Sequence, residues 1–297
     1  TGAGTLVIGG DLTVDRMGFG AMRITGRGIW GPPSDRDGAL AVLRRAVELG
    51  VTLIDTADSY GPHVSEELIA EALHPYPSEL VIATKVGLTR QGPDQWGTDA
   101  RPERLRAACE GSLRRLRLER IDLLQLHRPD PRVPLAESMG ALADLRREGK
   151  VRHIGVCNVG AAELTEARAA APVVSVQNRL SAVRGRNEDV LAECERRGFA
   201  FLAWAPLDAG AAGRSSGVPG RIAAAHGVEP AQALLAWLLQ RSPVIVPIPG
   251  TTSCDHLATN VAGGRLRLSE AELAELASAG PPLGTRLRQL VWRIRHQ

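Results

Sequence analysis

Lysine is almost absent. Of 36 basic residues in a chain of 297, only Lys85 and Lys150 are lysines. Tyrosine is as scarce, with Tyr60 and Tyr76 alone, and aromatic residues make up 3%. So few aromatics exclude the stacking platforms that hold single-stranded nucleic acid. The net charge of +3 is not gathered into a basic stripe, which argues against any nucleic-acid partner. The four cysteines, Cys109, Cys157, Cys194 and Cys254, are dispersed and form no CxxC pair. They read as reduced thiols, not as a disulfide frame or zinc site, and no other cluster suggests a metal. No apolar run is long enough to span a membrane, and the first residues carry no signal-peptide pattern. The expectation is a cytoplasmic protein with no membrane partner. Nothing in the composition speaks to oligomeric state.

What is present is a regular alternation. Apolar runs of strand length are followed by segments with helical spacing of apolar residues. Residues 5–8 and 12–14, joined by Gly9-Gly10-Asp11, read as a β-hairpin that caps the bottom of a barrel. Counted from Met17, eight strand–helix units follow. Their strands are predicted at 17–23, 51–55, 80–85, 121–127, 151–157, 173–177, 200–204 and 244–247. The intervening helices are predicted at 35–49, 64–73, 101–116, 134–147, 161–171, 188–197, 221–226 with 231–240, and 253–262. Residues 86–100 read as a long loop. A further helix is expected at 269–277, and the tail from Thr285 places Leu287, Leu290, Val291 and Ile294 on one helical face. Eight such units imply a closed (β/α)8 barrel in one domain, residues 1–297. Gly18 and Gly20 lack the third glycine and following helix of a dinucleotide-binding loop, so an open doubly wound sheet is disfavoured.

The rare residues fall at strand ends. Asp55 closes the run Val51-Thr52-Leu53-Ile54, and Tyr60 follows it just before the turn Gly61-Pro62. Lys85 closes a second apolar strand, and His127 a third. In such barrels the active site is built at the carboxyl ends of the strands. Where any cation would serve, this chain uses Arg; Lys85 therefore suggests a compact ammonium whose surroundings tune a pKa. An ammonium beside a phenol favours the phenolate and lowers the phenol pKa. A carboxylate keeps that lysine charged and in place, and a neutral imidazole orients a substrate oxygen. Together they could protonate a carbonyl oxygen as hydride arrives from a nicotinamide cofactor. Taken singly each has a plainer reading: a loop carboxylate, a half-buried aromatic, a strand-end cation, a core histidine.

The order Asp55, Tyr60, Lys85, His127 resembles the aldo-keto reductase superfamily. It is preceded by Met17-Gly-Phe-Gly-Ala-Met22 and followed by Ile248-Pro-Gly-Thr251. The resemblance implies a TIM barrel that binds NADPH in an extended conformation, without a metal, and reduces small carbonyl substrates. It makes the four residues a catalytic tetrad with Tyr60 as general acid. It also implies that Gly20, Met22 and Asp55 border the nicotinamide, that Asn158 and Gln177 bind its carboxamide, and that Trp204 stacks on it. Pro206 and Leu207 follow the pyrophosphate. Thr251, Thr252, Ser253, His256 and Asn260 meet the adenosine phosphate, at a helix start that favours an anion. Cys157 stands where the family usually has Ser, a better hydrogen-bonding partner. No Lys or Arg marks the 2′-phosphate segment, which leaves NADH as an alternative cofactor. The blocks Gly31–Arg36, Tyr60–Val64 and 236–242 are most similar to bacterial pyridoxal-reductase-type members. That points to pyridoxal or another aromatic aldehyde, met by Met22, Tyr60, His127 and Arg128. The competing expectation is a nicotinamide-binding regulatory or sensor barrel with little turnover.

Overall fold

The computed structural model describes residues 1–182, 187–208 and 217–278. The chain opens with an antiparallel hairpin, β1 (Thr5–Ile8) and β2 (Leu12–Asp15). Ile8, Leu12 and Val14 are buried against Leu53, Leu123, Leu202 and Val246 of the barrel strands. The hairpin therefore plugs the amino-terminal mouth, as its alternating apolar residues predict.

Eight parallel strands follow. They are β3 (Phe19–Gly20), β4 (Leu53–Asp55), β5 (Val81–Val86), β8 (Ile121–Leu126), β9 (Val151–Cys157), β10 (Val173–Arg179), β11 (Ala200–Trp204) and β12 (Ile245–Pro247). Each pairs with the next in that order. The last strand returns to the first: Gly18 N–H donates to the Pro247 carbonyl at 3.0 Å and Gly20 N–H to that of Pro249 at 3.2 Å. A Cβ on Gly20 would lie 2.7 Å from the Ile248 carbonyl oxygen, so this seam requires glycine. The strand interiors are near-continuous apolar runs because both faces are covered, as parallel sheets require.

Ten α-helices lie among the described residues. Helix α1 (Arg36–Glu48) is capped by Asp35, whose carboxylate accepts from Gly38 N–H at 2.8 Å. Next come α2 (Val64–Leu73), α3 (Pro102–Leu116), α4 (Leu135–Arg147), α5 (Ala161–Ala170) and α6 (Glu188–Arg197). Then follow α7 (Val218–Ala225), α8 (Pro230–Arg241), α9 (Cys254–Ala262) and α10 (Glu270–Ser278). Most predicted boundaries hold within two residues; α7 begins three residues early, at Val218. The amphipathic tail lies outside the described residues.

One element differs in kind from its expectation. The loop after β5 contains a second hairpin, β6 (Leu88–Gly92) and β7 (Gln95–Thr98), turning at Pro93-Asp94. Its strands are short and mostly polar, so they carry no apolar alternation. Among the described residues no single helix is long and apolar enough to cross a membrane. The apolar pair α7 and α8 is bent by 96°, and Leu234, Leu235 and Leu238 are buried in the core.

Candidate active site

The four residues singled out in the sequence meet at the carboxyl ends of neighbouring strands. Asp55 ends β4, Lys85 lies in β5, and His127 follows β8, which pairs with β5. Lys85 Nζ donates to Asp55 Oδ2 at 2.6 Å, to the Thr56 carbonyl at 2.7 Å and to Tyr60 Oη at 3.4 Å. All four side chains are buried, with Lys85 fully so. The imidazole of His127 stands edge-on to the Tyr60 ring, centroids 5.8 Å apart at 81°. Its Nδ1 lies 3.4 Å from Ser59 Oγ. The second oxygen of Asp55 accepts from Gln177 Nε2 at 2.7 Å and from Gln125 Nε2 at 3.2 Å. The carboxylate is thus paired on both oxygens, which a buried charge requires.

Burial sets the electrostatics. It pushes the Tyr60 phenol up to about 12, although Lys85 pulls the other way. This reverses the net direction expected from the sequence: the ammonium does favour the phenolate, but depth outweighs it. Burial also favours loss of charge at Lys85, yet Asp55, then Tyr60 and Cys157, hold its pKa above the ordinary lysine value. His127 is held well below the usual imidazole range by burial, then by Lys85 and Arg128. At neutral pH the site therefore contains a protonated phenol, an ammonium and a neutral imidazole.

A second buried group lies between Asp55 and Tyr60. Asp58 is 4% exposed, and its Oδ1 has no partner among the described residues. Burial, then the nearby Glu66, pushes its carboxyl up to about 8. Glu66 is itself paired, with Arg115 Nε at 2.7 Å and Thr84 Oγ1 at 2.6 Å. Between the unfolded and folded pKa values, about 4 and about 8, the unfolded state holds less proton than the folded one. Stability contributed by the protonated Asp58 is thus present at low pH and lost as pH rises through that window. Asp58→Asn is expected to stabilise the fold more at pH 8 than at pH 5, by about 1–2 kcal/mol or more. Urea unfolding at both values checks this; equal shifts would contradict it.

Asn158 follows β9 in a left-handed conformation, φ 59°. Its amide donates to the His127 carbonyl at 3.1 Å and to Cys157 Sγ at 3.1 Å. Its carbonyl oxygen accepts from Trp204 Nε1 at 3.2 Å. Two further non-glycine residues with positive φ, Ala205 and Asp208, follow β11. Backbone strain of this kind gathers at ligand-binding ends of strands. Several partners escaped the sequence reading: Gln125, Ser59 and the guanidinium of Arg179, which lies over the Trp204 ring at 5.3 Å. A glutamine inside an apolar strand, two residues before His127, was the available signal for Gln125.

The sequence model described as the aldo/keto reductase family matches residues 16–280. The chain belongs to this family. It is 46% identical over 278 residues to an uncharacterized oxidoreductase of Schizosaccharomyces pombe, covering 94% of this chain and 90% of that one. Pyridoxine 4-dehydrogenase of Escherichia coli K12 is 40% identical over 274 residues, covering 90% and 95%. Among solved structures, the glycerol dehydrogenase of Gluconobacter oxydans superposes with a TM-score of 0.83 at 28% identity, covering 94% and 95%. An aldo-keto reductase from Klebsiella pneumoniae in complex with NADPH gives 0.79 at 29%, with the same coverage. The chain is an oxidoreductase of the aldo-keto reductase family, whose Klebsiella member holds NADPH.

The residues at the barrel mouth fit that cofactor. Helix α9 opens towards the β12 end, and Ser253 caps it, accepting from His256 N–H at 3.3 Å. The amides ahead of His256 have no intrahelical acceptor, as at any helix start, and suit a phosphate oxygen. Thr251 is half-buried and Thr252 exposed beside them, His256 is exposed, and Asn260 is buried one turn on. The half-buried Trp204 offers a ring face. Two features narrow the fit. The amide nitrogen of Gln177 is committed to Asp55, leaving its oxygen, 4.0 Å from Cys157 Sγ, as the group with spare capacity. Asp255 in the first turn of α9 sets a negative charge near the proposed phosphate. Pro206 is buried and Leu207 half-buried against the core; Met22 is half-buried on a 3₁₀ turn, Ala21–Ile24, and Arg128 is exposed beside His127.

Proposed function

We propose that this aldo-keto reductase reduces pyridoxal or another aromatic aldehyde to its alcohol in the cytoplasm, with Tyr60 as proton donor. The observation that carries the reading is the buried hydrogen-bonded chain from Asp55 through Lys85 to Tyr60, with His127 against the phenol. When bound, NADPH supplies hydride to the carbonyl carbon. Tyr60 keeps its proton at working pH and gives it to the substrate oxygen as negative charge develops there. Lys85, fixed by Asp55, stabilises the phenolate left behind. Neutral His127 orients the carbonyl oxygen through the ring nitrogen that does not face Ser59.

Asn158, Gln177 and Trp204 would hold the nicotinamide, bordered by Gly20, Met22 and Asp55. Pro206 and Leu207 would follow the pyrophosphate. Thr251, Thr252, Ser253, His256 and Asn260 would meet the adenosine phosphate. Met22, Tyr60, His127 and Arg128 face the substrate. The Escherichia coli relative, named for pyridoxine, supports the substrate class, since pyridoxal is the 4-aldehyde of that alcohol.

The expected kcat/KM for pyridoxal exceeds that for propanal by at least about tenfold, the size of discrimination that a few extra pocket contacts provide. Equal values would remove the aromatic preference. His256→Ala is expected to raise the Kd for NADPH about threefold to tenfold while leaving that for NADH unchanged, as for loss of one phosphate contact. Fluorescence titration with both cofactors checks it; parallel changes would place His256 away from the 2′-phosphate.

A further inference from the structure

Arg90 lies on β6, five residues past Lys85 along the chain, and no part of the proposed chemistry uses it. A guanidinium has five N–H donors. Here each is directed at a backbone carbonyl. Nη1 donates to Ile29 at 2.6 Å and to Ser59 at 3.2 Å. Nη2 donates to Gly28 at 2.7 Å and to Gly92 at 3.1 Å, and Nε to Gln95 at 3.2 Å. The acceptors come from three loops: the one after β3, the one carrying Tyr60, and the β6–β7 hairpin itself. Trp96, the cross-strand partner of Arg90, covers the guanidinium with its ring centroid 3.7 Å away, and Trp30 approaches at 5.8 Å. Both distances lie within the range of a cation–π contact.

The loops also join one another around this point. Gly31 N–H donates to the Gly61 carbonyl at 2.5 Å, and Gly61 N–H to that of Ile29 at 3.3 Å. Asp94 N–H donates to the Gly28 carbonyl at 3.0 Å. Ile29 holds φ 54°, a left-handed conformation that a β-branched residue rarely adopts. Such a conformation persists only where its surroundings over-determine it. Its carbonyl receives both Arg90 and Gly61. Gly28, φ 69°, has no room for a side chain, since a Cβ would lie 2.8 Å from that of Pro93.

We infer that Arg90 is a positioning residue: its planar fork ties three βα loops into one rim and thereby holds the Ser59-Tyr60 peptide in place beneath the substrate. This deepens the reading of Tyr60 as proton donor and rests on it. A lysine cannot replace the fork, because three donors on one nitrogen cannot span carbonyls on three loops. A displacement of about 1 Å at a reacting group can cost on the order of 10²-fold in rate.

The test compares wild type, Arg90→Lys and Arg90→Met by steady-state reduction of pyridoxal, NADPH titration and hydrogen exchange. Both variants are expected to lose about 10–100-fold in kcat/KM, with kcat falling more than KM rises. The Kd for NADPH stays within about twofold, because Arg90 bonds none of the segments around Asn158, Trp204 or α9. Exchange at residues 26–31 and 59–61 accelerates at least about tenfold, while that of the barrel strands is unchanged. Full activity in Arg90→Lys would show that charge alone suffices and would overturn the proposal. So would unchanged loop exchange, or a parallel collapse of cofactor binding and strand protection. Exchange needs no substrate. A wild type without turnover would therefore count against the role of Tyr60, while the tie between loops would still stand or fall by exchange.

Discussion

Tyr60→Phe is expected to lower kcat by about 10²–10⁴-fold, the usual contribution of a positioned general acid. The Kd for NADPH should move by less than about twofold. Phe fills the same volume, and the hydroxyl it removes makes one long bond, 3.4 Å to Lys85 Nζ. Loss of stability is therefore expected to be small, below about 1 kcal/mol. The direction of the phenol pKa sharpens this expectation. A phenol held up at about 12 is neutral across the whole working range. Its titration should leave no limb in the pH–rate profile below pH 10. Nor should His127, held well below the ordinary imidazole range, contribute one between pH 7 and 9. A residual rate within threefold of wild type would remove Tyr60 from the chemistry. A variant that also fails to bind NADPH would mark it as a structural residue.

Lys85→Met should abolish turnover by at least about 10²-fold and also destabilise the fold by about 3–5 kcal/mol. The two losses have different origins. The rate falls because nothing stabilises the phenolate formed at Tyr60. Stability falls because Asp55 is left buried with only the amides of Gln125 and Gln177 as partners. The double variant Asp55→Asn/Lys85→Met removes the unpaired charge. It should recover most of the stability and none of the activity. Denaturant unfolding and kcat, measured on both proteins, separate these effects. Recovery of activity in the double variant would contradict the role of Lys85, and failure to recover stability would contradict the account of the ion pair.

The parts of this site that were legible in the sequence share one property: they join a polar residue, a scarce lysine or tyrosine among them, to a strong local pattern. An apolar run fixes the strand, its end fixes the barrel face, and a lone lysine or tyrosine there is conspicuous. Asp55, Tyr60, Lys85 and His127 were found in that way, and the structure brings all four together. What depends on depth was not legible. The direction of the Tyr60 pKa turns on how far the phenol lies from water, which the turn-like segment Asp58-Ser59-Tyr60-Gly61 conceals. The same segment hides Asp58, a buried acid written in the composition of an exposed loop. The β6–β7 hairpin escaped because its polar strands lack alternation. Arg90 escaped because it is one of many arginines, and only the fold brings residues 28, 29 and 59 to its donors. Gln177 shows a further limit. The family resemblance marks it for the nicotinamide carboxamide, but only the fold shows that its amide nitrogen is engaged with Asp55, leaving its oxygen for that role.

The most direct test is a single-turnover experiment. Protein in excess over NADPH is mixed with pyridoxal, the loss of nicotinamide absorbance is followed, and the product is identified. The expected result is consumption of NADPH matched one for one by the alcohol, fast in wild type and slowed at least about 10²-fold in Tyr60→Phe. Tight NADPH binding with no consumption by pyridoxal or any other aldehyde would contradict carbonyl reduction at this site and favour a barrel that senses the cofactor without using it.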